Sequence, residues 1–113
     1  MAPRTERTPE DQLFGLIGKI VATPGQRDAL ISILLEGSKA MPGCRSYVIA
    51  RDSGDADAIW VTEVWDDQES HKAALALPSV RDAISRGKPL IKDFAAHFVT
   101  EPVGGFGIDA VAG

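Results

Sequence analysis

Between Ile59 and Pro78 the chain reads IWVTEVWDDQESHKAALALP, an apolar strand that runs straight into a helix. Asp66 is placed to cap that helix, with Glu69 three residues on, as in a capping box. Trp60 and Trp65 both fall in this strand, in a chain that is only 6% aromatic. Trp65 ends the strand, beside the opening of any cavity between sheet and helix, where a small protein can build a pocket. Whatever the fold is, it must join a strand to a helix at that point.

The same reading extends along the chain. Leu13 to Thr23 reads as a strand, with Phe14, Leu16, Ile20 and Ala22 on one face and Ile17 and Val21 on the other. Pro24 and Gly25 turn the chain. Gln26 to Met41 reads as a helix, because Leu30, Ile33, Leu34, Gly37 and Met41 recur at helical spacing. Pro42 and Gly43 stop it. Cys44 to Asp52 is a strand, with Tyr47, Ile49 and Arg51 on one face and Val48 and Ala50 on the other. SGDAD, residues 53–57, is a hairpin loop and Ala58 to Trp65 the third strand. Asp67 to Leu77 is a helix, stopped at Pro78, and Ser79 caps a short one that ends at Gly87. Ile91 to Glu101 is the last strand, with Phe94, Ala96 and Phe98 on one face and Ala95, His97 and Val99 on the other.

The order β-α-β-β-α-β predicts an α+β, ferredoxin-like fold with a four-stranded antiparallel sheet and helices on one side. Residues 1–12 read as a mobile N-terminal arm, 13–102 as the domain, and 103–113 as a Gly-rich tail that keeps Phe106, Ile108 and Val111. The strands are apolar on both faces, whereas a sheet half open to water alternates apolar with polar. The helices cover one side. A second copy is expected on the other, giving a homodimer with Trp60 in the interface, and the apolar tail is expected to reach the partner.

Composition narrows the function. The 113 residues suit one domain, and such a chain buries roughly two-thirds of its unfolded surface. A formal net charge of −4, with scattered lysines and arginines, argues against a nucleic-acid partner. The polar start has no apolar signal core and no run reaches membrane-spanning length. One cysteine, Cys44, rules out an intrachain disulfide and suits a reducing compartment. A cytoplasmic protein away from membranes is the expectation. The two histidines form no HxH or HxxxH spacing, so no metal site is expected.

The turn PGQ (Pro24 to Gln26), the segment PGCRSY (Pro42 to Tyr47), the E-x-W of Glu63 to Trp65 and the helix break at Pro78 occur in one order. Through them the chain resembles the antibiotic biosynthesis monooxygenase family of dimeric α+β barrels, and most of all its small quinol-type members. The resemblance implies oxygenation of a small aromatic or quinol-type substrate by O₂, without metal, flavin or haem. The anion of such a substrate passes an electron to O₂ itself. The protein then supplies an apolar pocket, a proton acceptor and donors for the oxyanion. Many members carry histidine where this chain has Ala74 and Ser79. The haem-degrading relatives use tryptophan and histidine where it has Ala74 and Ile84, which disfavours haem.

Several residues then compete for roles. His71 shares a helix face with Ala74 and is a candidate base or proton shuttle, or else a solvated helix residue. Trp65 either walls a pocket or fills the junction of sheet and helix. Glu63, alone among apolar neighbours, is either a base of raised pKa or the ion-pair partner of Arg51 or another cation. Tyr47 can donate to a substrate oxygen. Arg51, His97 and Arg81 are candidate substrate contacts, as is Arg86, with solvated surface the alternative for the two helix arginines. Cys44 reads as a packed side chain. Gly15 and Gly18 fit a close backbone approach or a bulge and lack phosphate-loop spacing. Two other functions fit the same chain. One is a non-catalytic dimeric module that binds an apolar metabolite. The other is an isomerase or similar proton-transfer enzyme using His71 or Glu63.

Overall fold

The computed structural model describes residues 12–108. Most of the expected N-terminal arm and Val111 of the tail lie outside the described residues. Four strands, β1 (Phe14–Ala22), β2 (Cys44–Arg51), β3 (Ala58–Trp65) and β4 (Ile91–Thr100), form one antiparallel sheet in the order β2-β3-β1-β4. Helices α1 (Arg27–Gly37), α2 (Gln68–Ala74) and α3 (Pro78–Gly87) complete it, with a 3-10 turn at Lys88–Leu90. This is the ferredoxin-like α+β arrangement that the element order predicted. No described helix is long and apolar enough to cross a membrane.

The core forms where the apolar face of the central strands meets α1. Ala22, Leu30, Ile59 and Val61 are buried together, and Ile20, Tyr47 and Ile49 pack against them. Burial at ~25 cal/mol per Å² of apolar surface makes this contact the main source of stability. Helix α1 crosses α3 closely because Gly37 has no side chain. A Cβ at that position would overlap the Cβ of Ala83. Overpacking of this kind typically costs about 1–3 kcal/mol. Gly15 serves a similar purpose in the sheet, where a Cβ would run into Thr100 and Pro102.

Several element ends differ from expectation, each for a local reason. Helix α1 stops at Gly37, short of Met41, where the Ser38 hydroxyl donates to the Leu35 carbonyl at 3.3 Å. Helix α2 is capped by Asp67, whose Oδ1 accepts from the Ser70 amide at 2.8 Å. Asp66 is engaged elsewhere, accepting from Arg45 Nε at 2.6 Å, so the Asp66–Glu69 capping box does not form. Helix α2 ends at Ala74 because Leu77 precedes a proline and is extended. Pro78 occupies the first turn of α3, and Ser79 lies inside the helix instead of capping it.

Bulges alter the faces of the edge strands. Lys19 lies opposite Ala96 and Ile20 opposite Phe94, so Ala95 is an extra residue in β4. Phe94 therefore sits on the helix side, level with Ile20, and is separated from Ala96 and Phe98, with which strict alternation had grouped it. The face away from the helices carries Ile17, Val21, Val48, Ala50, Trp60, Val64 and Phe98. Among these Val48 and Phe98 are more than half exposed. On the same face the Trp60 indole donates to Asp52 Oδ2 at 2.8 Å, which is the leading cause of that carboxyl's lowered pKa. Past β4 the chain turns back, and Arg45 Nη1 donates to the Ile108 carbonyl at 3.1 Å. Val103 and Phe106 remain exposed.

Candidate active site

The helix side of β3 ends in Glu63 and Trp65, and the antiparallel register sets Tyr47 directly opposite Glu63. Only two residues separate the strand from helix α2, which brings His71 back over it. These four side chains line one cavity of about 370 Å³ between the sheet and the three helices. That volume is in the range of small-molecule sites. The remaining wall is mostly aliphatic, with Leu30, Leu34 and Met41 from the α1 side and Val80, Ala83 and Ile84 from α3. Polar groups are few and gathered at Glu63.

Trp65 is 1% exposed, and its indole N–H donates to Glu63 Oε1 at 2.8 Å. His71 Nε2 lies 4.0 Å from the same oxygen. The His71 ring meets Trp65 edge-on at 5.3 Å and Phe14 at 5.6 Å. Glu63 thus has one oxygen engaged by an indole and a histidine on one side of it. Trp65 both walls the cavity and fills the junction, so the two expected roles coincide.

Glu63 does not pair with Arg51. The register places Arg51 opposite Ile59, four residues along β3, and its guanidinium donates to Asp28 at 3.0 Å. Arg51, Arg81 and His97 do not line the cavity. His97 lies opposite Gly18 on an edge strand and is exposed. Arg86 bridges Asp82 and Glu36 on the helix surface, each at 2.9 Å. Of the positions where the resemblance expects histidine or tryptophan, Ala74 and Ile84 line the cavity and Ser79 does not. Cys44 is half-buried, and burial is the main cause that pushes its thiol pKa up. Among the described residues no three His, Cys, Asp or Glu side chains cluster as a metal centre requires. Sequence reasoning missed Phe94 and Lys88 in the lining. The bulge that turns Phe94 inward leaves no signature in residue type.

Burial is the main cause that drives the Tyr47 hydroxyl's pKa well above 10.0, and the charges of Glu63 and Cys44 add to it. Among the described residues that hydroxyl has no hydrogen-bond partner. Tyr47 therefore stays a neutral donor facing the cavity at any physiological pH. The unfolded chain releases this proton near pH 10 and the folded chain only later, so stability is complete below pH 10 and falls as pH rises beyond it. The loss is about 1.4 kcal/mol for each pH unit in that window. Denaturant melts from pH 9 upward should show a steeper decline in the parent than in Tyr47→Phe. Parallel declines would mean that the hydroxyl is hydrated.

A model of the antibiotic biosynthesis monooxygenase family matches residues 13–86, well over half of the chain. The chain belongs to the antibiotic biosynthesis monooxygenase family. A Chloroflexus aurantiacus protein, provisionally described as an antibiotic biosynthesis monooxygenase, is 66% identical, with a TM-score of 0.84 over 85% of this chain and 98% of its own. A Mycobacterium tuberculosis protein shares the fold at 21% identity and a TM-score of 0.69, over 83% of this chain and 98% of its own. A conserved Methanosarcina mazei protein does so at 12% and 0.69, over 81% and 94%. No curated protein matches. The family match spans β1 through most of α3, the elements that supply nearly all of the cavity wall.

Proposed function

We propose that the chain is a monooxygenase that inserts one atom of O₂ into a small aromatic or quinol-type substrate without a bound cofactor. The observation that carries this reading is the Glu63–Trp65–His71 set together with the Tyr47 side chain, all lining one apolar cavity. The substrate ring lies against Trp65. Glu63 takes a proton from the ring carbon or hydroxyl, and the Tyr47 hydroxyl donates to the oxygen on which negative charge builds. His71, the more exposed of the pair, passes the proton toward water. The substrate anion then gives an electron to O₂. For a ring methylene, as in an anthrone, one oxygen atom becomes the new carbonyl and the other leaves as water with the two hydrogens. The aliphatic wall keeps water from the anion. An oxygen electrode should record uptake above autoxidation with chelator-treated protein and an anthrone or naphthoquinol. Substrate turnover without O₂ would favour the isomerase reading, and binding without turnover the metabolite-binding module.

The sheet face opposite the helices supports a homodimer in which two such faces pack together, because among the described residues Val48 and Phe98 on it are more than half exposed beside Ile17 and Trp60. The tail residues Val103 and Phe106, both largely exposed, fit a contact with the partner in that assembly. Light scattering after size exclusion should give twice the chain mass at micromolar concentration, reduced in Trp60→Ala. A single-chain mass for the parent would remove the dimer.

A further inference from the structure

We propose that the substrate carries a lipophilic side chain on its hydroxylated ring, and that Leu75, Ile84 and Phe94 form the track by which this chain leaves the cavity. The inference rests on the aromatic substrate proposed above. The cavity lining divides by exposure. Trp65, Leu30, Ala74 and Ala83 are each at most 5% exposed and enclose the inner end with Glu63. Leu75 and Ile84 are each 47% exposed and Phe94 is 69% exposed, yet all three line the same cavity. They come from separate elements: the turn after α2, helix α3 and strand β4. Single exposed apolar residues are ordinary. Three that converge from separate elements on the opening of one apolar cavity mark a surface built to be covered.

The β4 bulge at Ala95 is what places Phe94 there. Strict alternation would have put Phe94 on the opposite face with Ala96 and Phe98. The ring with its hydroxyl belongs at the inner end, where Glu63 and Tyr47 stand. An apolar substituent para to that hydroxyl then points outward across the rim. Lys88 also belongs to the lining, and it is exposed. An exposed ammonium recognises an anionic end group weakly, so the apolar rim decides the chemistry of the chain.

The test is calorimetric titration of the full-length protein with neutral 4-alkylphenols from methyl to octyl, which bind without reacting with O₂. Affinity should rise about threefold for each methylene that crosses the rim, then level off once the chain is beyond it. Ile84→Ser and Phe94→Ser should flatten this rise, weakening 4-octylphenol far more than 4-methylphenol, and Lys88→Ala should not alter the slope. Affinity independent of chain length would overturn the inference. So would rim variants that change the mass in light scattering but not the slope, since the cover would then be a second copy. Failure of the enzymatic reading looks different. It would appear as no O₂ uptake with any quinol, whether or not the alkylphenol slope is present.

Discussion

Glu63→Gln should lower turnover by two to four orders of magnitude while leaving the fold intact. The size follows from loss of a positioned general base, which is typically worth 10²–10⁴ in rate. The fold survives because the glutamine side-chain oxygen can still accept the Trp65 indole N–H that Glu63 Oε1 accepts at 2.8 Å. Volume and shape are preserved, so the cavity wall is unchanged. Steady-state O₂ consumption with thermal melts alongside would check both halves. Unchanged turnover in a folded variant would take the proton-acceptor role away from Glu63 and leave His71 to carry it.

Trp65→Ala should have the largest effect on stability, about 3–5 kcal/mol. Trp65 is among the largest fully buried side chains, and it lines the cavity. The neighbouring wall is the existing cavity, which truncation would enlarge. Total stabilities of small domains run to about 5–15 kcal/mol, so this loss is a large fraction of the whole. The urea midpoint should fall sharply with little change in slope. Trp65→Phe should keep most of the packing and lose only the indole donor. A cost below about 1 kcal/mol for the alanine variant would mean that Trp65 is not part of the closed core.

The sequence-level reading of the fold held because strand periodicity and Pro-Gly punctuation coincide in this chain. PGQ stands just before α1, PGCR leads into β2, and E-x-W stands where β3 hands over to α2. Helix ends were less legible, since they turn on single competing hydrogen bonds. Asp66 and Asp67 are equally good caps by residue type, and only the Arg45 contact removes Asp66 from the choice. The bulges in β4 have no residue signature, so the faces of Phe94 and Phe98 could not be separated beforehand. Within the candidate site, Tyr47, Glu63, Trp65 and His71 were legible from strand parity and helix spacing. Arg51 was misplaced because parity assigns it to the face of Glu63 but says nothing of distance along the strand. Residues such as Leu34 and Gly37 cannot be told from core by pattern, because a cavity wall and a packed core use the same helical stripe.

The most direct test of the central claim is the rate and isotope content of anthrone oxidation under ¹⁸O₂ by chelator-treated protein. The predicted result is a rate well above autoxidation, one ¹⁸O atom in each quinone formed, and loss of the excess rate in Glu63→Gln. A rate equal to autoxidation across anthrones and naphthoquinols, with folded protein in the cell, would contradict it.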